Sequence, residues 1–153
     1  MSNRVLSFEK ILDVPRAAVW RCWTEPDLIV QWFTPKPWRT VSAELDLRPG
    51  GSSLIVMRSP DGQDYPNAGV YLDVVAMEKL VFTDAFTSAW VPSGKAYMTA
   101  EVSFSDAGEG KTLYRAQVAH WSDEDCASHA ARGFYEGWGK AAEQLVDVAR
   151  TLA

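Results

Sequence analysis

Residues 122–152 read SDEDCASHAARGFYEGWGKAAEQLVDVARTL, and in them Ala127, Ala131, Phe134, Trp138, Ala141, Leu145, Val148 and Leu152 recur at steps of 4, 3, 4, 3, 4, 3 and 4. That spacing predicts one long helix with a single apolar stripe. His129, Arg132, Glu136, Lys140, Glu143 and Asp147 then fall on the opposite, solvent face. Ser122 with Asp125 three residues on supplies the start, a capping box with Asp in place of Glu. Gly133, Gly137 and Gly139 interrupt the helix, and each costs about 1 kcal/mol against alanine in a helix interior. Two explanations are open. The glycines allow close helix–sheet packing or make room for indole rings, or they leave a flat strip beside Phe134 and Trp138 whose volume belongs to a ligand.

Upstream of this segment the apolar period is two. Residues 38–47 alternate Val41, Ala43, Leu45 and Leu47 against Thr40, Ser42, Glu44 and Asp46, and end at the turn Arg48-Pro49-Gly50-Gly51. Further strands are expected at 53–59, 68–77, 79–86, 96–104 and 111–120, joined by short turns that favour antiparallel pairing. A first strand at 4–12 precedes Asp13-Val14-Pro15, which reads as a helix start with Asp13 as cap. The helix from Pro15 places Ala17 and Trp20 on one face and leaves Trp23, at its end, ambiguous; a second short helix runs from Pro26 through Trp32 until Pro35 and Pro37 stop it.

This order makes residues 1–153 one α+β domain. A curved antiparallel sheet of six or seven strands must bury one face, and the long C-terminal helix is the element available to cover it. Two short helices after the first strand close one end. A sheet that curls around a helix leaves space between them.

Composition narrows the function. The 15 Lys and Arg against 20 Asp and Glu give a net charge of −5, with no basic run, which disfavours a nucleic-acid partner. No apolar run approaches the ~20 residues needed to span a bilayer. Two cysteines, Cys22 and Cys126, form no CxxC pair, and the first ten residues hold no apolar leader core. We expect reduced thiols and a cytoplasmic protein. The unusual residue is tryptophan: seven, at 20, 23, 32, 38, 90, 121 and 138, four of them between Trp20 and Trp38. Side chains this large require a deep core or a cavity.

At motif level the chain carries Pro15 with Val19-Trp20, Trp32-Phe33-Thr34-Pro35, Arg48-Pro49-Gly50-Gly51 and Pro60-Asp61-Gly62. Gly69-Val70-Tyr71, Glu78-Lys79-Leu80-Val81-Phe82-Thr83 and Glu136-Gly137-Trp138 follow. In this order the pieces resemble the START-like helix-grip (SRPBCC) superfamily, in particular bacterial single-domain proteins similar to the activator of the heat-shock-protein-90 ATPase. The resemblance implies a sheet gripping the C-terminal helix around a cavity. It also brings in a stress-response setting and contact with a chaperone. The superfamily includes lipid and hormone carriers, polyketide cyclases and co-chaperone domains, so the fold alone selects no chemistry.

The leading expectation is binding of a small hydrophobic or aromatic molecule. Its lining is expected from Trp32, Phe33, Trp38, Tyr71, Trp90, Met98, Phe134 and Trp138, with Asp84 and Arg115 as polar contacts. The alternative is a cyclase- or hydratase-type enzyme using Asp84, Glu101 or Arg115 inside the cavity, where a dry carboxylate has a raised pKa. A third reading is a co-chaperone-like module that uses the outer face of the sheet, and a homodimer through an edge strand is a further expectation. No catalytic motif is present: there is no G-x-S-x-G, phosphate loop or dinucleotide fingerprint. Cys126 and His129 have a ligand-like spacing but no second pair, so neither metal nor cofactor is expected.

Overall fold

Val5–Leu12 forms strand β1 and leads through Asp13-Val14-Pro15 into helix α1 (Arg16–Thr24). The computed structural model describes residues 4–88, 90–94 and 96–152. Asp13 does not cap α1. Pro15 occupies the N-cap in an extended conformation with no side-chain cap bond, and the Asp13 carboxylate instead lies 3.8 Å from the Arg150 guanidinium. The inner face of α1 is Ala18, Val19, Cys22 and Trp23, whereas Ala17 is exposed and Trp20 is half-buried. Helix α2 (Pro26–Ile29) begins with proline in its first turn and stops at Ile29, not at Trp32.

The remaining strands are β2 (Arg39–Leu45), β3 (Ser52–Arg58), β4 (Asp64–Val75), β5 (Lys79–Thr83), β6 (Phe86–Ser88), β7 (Val91–Pro92), β8 (Met98–Asp106) and β9 (Thr112–His120). Seven of them make one antiparallel sheet in the order β1-β9-β8-β5-β4-β3-β2. The strand expected at 79–86 ends at Thr83, and Phe86 joins β7 in a separate two-stranded ribbon. In β2 the alternation expected from residue 38 is inverted at its start by a bulge between Thr40 and Ser42. Thr40 therefore turns inward, where its hydroxyl bonds that of Thr34.

The C-terminal segment folds as two helices instead of one: α3 (Asp123–Ala131) and α4 (Phe134–Arg150). Ser122 caps α3 as expected, its Oγ accepting the Asp125 N–H at 3.0 Å. The break falls at Gly133, whose φ of +90° costs an L side chain about 1–2 kcal/mol. Interruption resets the helical phase. Ala127 and Ala131, the first two members of the apolar stripe, are exposed, while His129, assigned to the solvent face, turns inward. From Phe134 onward the stripe lies as expected, with Phe134, Ala141, Leu145 and Val148 buried.

The core lies between α1, α4 and the concave face of the sheet. Leu12, Val19, Leu80, Val102, Tyr114, Ala116, Leu145 and Ala149 are almost fully enclosed there. Tyr114 is buried with its hydroxyl accepting the Trp23 indole N–H at 3.1 Å, which satisfies the one donor that a tryptophan brings into a core. Among the described residues neither Cys22 nor Cys126 forms a disulfide. Burial pushes the Cys22 thiol up to about 12, an inert packing group and no nucleophile.

Candidate functional site

Between α4 and the sheet, a cavity of about 530 Å3 opens beside the α3–α4 junction. That size falls within the usual range of roughly 300–1,000 Å3 for small-molecule pockets. Its floor is Trp23, at the last turn of α1. The Trp23 ring lies 5.1 Å from Trp32, 5.9 Å from Phe33, 5.9 Å from Phe82 and 6.4 Å from Trp138, measured between centroids. Edge-to-face and offset contacts of this kind hold aromatic walls rigid. Trp32 is fixed further by its indole N–H, which donates to the Cys22 carbonyl at 3.0 Å.

Trp38 and Pro35 form the rim on the loop after α2. That loop is held against α4 by Gln144. The Gln144 amide donates to the carbonyls of Trp32 and Thr34 at 2.8 and 3.0 Å and accepts from the Lys36 N–H at 3.1 Å. Trp38 leans on Tyr65 with ring centroids 5.3 Å apart, which props the rim outward. Along α4, Phe134, Gly137, Trp138 and Ala141 face the space. A Cβ built on Gly137 meets nothing within 4 Å. Close helix–sheet packing is therefore not the reason for this glycine; open volume is. A smaller compartment of about 140 Å3 adjoins, sharing Phe33, Met57 and Met98 and reaching Thr83 and Asp84.

Six of the expected lining residues meet here: Trp32, Phe33, Trp38, Met98, Phe134 and Trp138. The other four do not line the main cavity. Tyr71 is buried in the core against Phe82 (6.4 Å), and burial raises its phenol pKa above the ordinary range. Trp90 is 72% exposed on the β6–β7 ribbon, its ring against that of Phe86, because that ribbon leaves the main sheet. Arg115 projects from the outer face, paired in register with Glu9 and 3.8 Å from its carboxylate. Asp84 borders the smaller compartment, but its Oδ1 accepts the N–H groups of Tyr97 (2.8 Å) and Met98 (3.1 Å) and so serves to seat the start of β8. Glu101 shares the outer face, since its neighbours Ala100 and Val102 are the inward residues of β8.

Among the described residues, the polar side chains that line the cavity are two that the phase of a single unbroken helix had hidden, His129 and Arg132. His129 Nδ1 lies 2.8 Å from His120 Nε2, and His120 Nδ1 lies 3.0 Å from the Arg4 carbonyl oxygen. The Tyr97 ring covers both imidazoles at 5.5 Å, and Phe134 abuts His129 at 5.0 Å. Burial, then the neighbouring His120 and Arg132, hold the His129 pKa below its ordinary value, so it is neutral at pH 7. Among the described residues no three His, Cys, Asp or Glu side chains gather as a metal site.

The family model described as "Activator of Hsp90 ATPase homolog 1-like protein" matches residues 13–150. The chain belongs to this family. A solved protein of Nitrosomonas europaea is similar to this AHSA1-like chain at 35% identity and a TM-score of 0.94, with 99% of this chain and 98% of that one covered. An AHSA1-like protein from Aeromonas hydrophila is 22% identical (TM-score 0.71, 97% and 93% covered), and a Rhodobacter sphaeroides protein is 18% identical (TM-score 0.83, 98% and 95% covered). These two share the fold. No curated protein matches the chain. No helix of the AHSA1-like chain, among the described residues, is long and apolar enough to cross a membrane.

Proposed function

We propose that this AHSA1-like protein binds a small apolar molecule with an aromatic or fused-ring body between α4 and the sheet. The observation that carries the reading is Gly137. A helix interior retains a residue that costs about 1 kcal/mol, and it does so beside unfilled volume on the face that also bears Phe134 and Trp138. Flat indole walls give a ring-shaped ligand contact area at little entropic cost, since they are already ordered. Two cysteines outside any disulfide among the described residues suit the reducing cytoplasm that we propose as its setting.

The test is to fill that volume. Gly137→Leu places a side chain in the open space while improving helix propensity, so the melting temperature should hold or rise. Titration with a hydrophobic dye, followed by tryptophan fluorescence, should show saturable binding to the parent chain and at least tenfold weaker binding to Gly137→Leu. Equal affinity in the two proteins would remove the cavity from the account.

The family description supports a second reading, in which the protein contacts a chaperone ATPase. A stimulated ATPase rate on adding the protein supports it; an unchanged rate counts against it. The enzyme reading has less to stand on, because Glu101 and Arg115 sit on the outer face and Asp84 is engaged by backbone.

A further inference from the structure

The hydrogen bonds at the α3–α4 junction set the direction of every proton in the histidine pair. A carbonyl oxygen only accepts, so the Arg4 carbonyl requires a proton on His120 Nδ1. His120 in its neutral form then has a lone pair on Nε2, and that atom accepts from His129 Nδ1. Neutral His129, having placed its proton on Nδ1, bears a lone pair on Nε2. No described residue donates to that nitrogen, although the ring lines the cavity. Arg132, one turn further along, lines the same opening with guanidinium donors, no acceptor and no ion-pair partner among the described residues. One corner of an otherwise apolar cavity thus presents an acceptor beside a donor.

We infer that this corner is the recognition site for a hydroxyl group on the ligand, its O–H donating to His129 Nε2 while its oxygen faces the Arg132 guanidinium. This rests on the proposed binding of an apolar ring system and adds the chemical class: an aromatic or alicyclic alcohol or phenol. A carboxylate satisfies Arg132 but sets its oxygen lone pairs against that of Nε2, and an ether lacks the proton. The Arg4 carbonyl, through His120, is what keeps Nε2 an acceptor. Tyr97 and Phe134 pack on His129, and the further groups that act on Tyr97 (Cys126, Asp84 and Asp125) include no cation that competes with Arg132.

Three probes with one ring system separate the outcomes: 2-naphthol, 2-methoxynaphthalene and 2-naphthoate, measured by equilibrium dialysis at pH 7.5. The naphthol should bind about tenfold tighter than the methyl ether, the size of one buried hydrogen bond made against one left unmade. His129→Leu should abolish that ratio while both probes still bind. If the naphthol and its ether bind the parent chain equally, or the naphthoate binds tighter than the naphthol, the hydroxyl assignment is overturned and the cavity reading stands. If none of the three binds, both are overturned. The ratio on the parent chain decides the matter even where His129→Leu fails to fold.

Discussion

Gln144→Leu is expected to lower the unfolding free energy by about 3–5 kcal/mol, although leucine fits a helix well. Gln144 is only 9% exposed, and its amide serves three backbone groups of the loop after α2: the Trp32 and Thr34 carbonyls and the Lys36 N–H. Leaving a buried polar group without a partner costs roughly 1–3 kcal/mol each, and some of the three will find water as the loop loosens. For a domain of this size each kcal/mol moves the melting temperature by about 2–4 °C, so a fall of about 10 °C or more should be visible in a thermal scan. Gln144→Glu gives a sharper control. It keeps an acceptor for Lys36 but at neutral pH turns a carboxylate toward two carbonyl oxygens, so it should not restore stability. A loss below 1 kcal/mol for Gln144→Leu would mean that the loop is held by something else.

Trp32→Ala should cost about as much by a different route. The side chain is 2% exposed, contacts Trp23 and Phe33, and donates to the Cys22 carbonyl. Truncating a buried aromatic of this size costs about 3–5 kcal/mol, through lost transfer energy and the void left behind. Trp32→Phe retains most of the apolar area and loses the donor, so about 1–2 kcal/mol is expected from urea denaturation. Because Gln144 binds the Trp32 backbone, the two sites share a segment, and the double variant Gln144→Leu/Trp32→Ala should fall short of the sum. Additive losses would show that rim and floor are independent.

The sequence is legible where periodicity and turn chemistry agree. Seven sheet strands, the antiparallel pairing of those joined by short turns and the packed half of the C-terminal stripe follow from period-two and period-3.5 patterns with Pro-Gly punctuation, whereas the β1–β9 pairing that completes the sheet order does not. The site is legible as far as its aromatic walls, because an indole at a helix start or mid-stripe has few other places to go. Three things escape. Trp23 reads as ambiguous because it ends a helix, where face cannot be told from fray, yet it is the hub of the aromatic cluster. His129 and Arg132 are hidden by one conformational event, the left-handed turn at Gly133, which the stripe gives no sign of because Ala127 and Ala131 are apolar enough to continue it and small enough to tolerate exposure. Arg115 and Trp90 are misplaced for topological reasons: side-chain parity on β9 and the departure of the β6–β7 ribbon depend on partners distant in the chain.

The break at Gly133 also divides the labour of the C-terminal segment. Helix α4 buries seven residues and anchors the fold, whereas α3 buries one, Cys126, and brings His129 to the cavity. On the proposed reading of the cavity, selectivity and foldability are separated along the chain: residues 127–132 can be varied to suit different ligand head groups with little penalty to the hydrophobic interior. A library confined to α3 should therefore yield mostly folded proteins with altered preferences, while one of equal size in α4 should yield mostly aggregates.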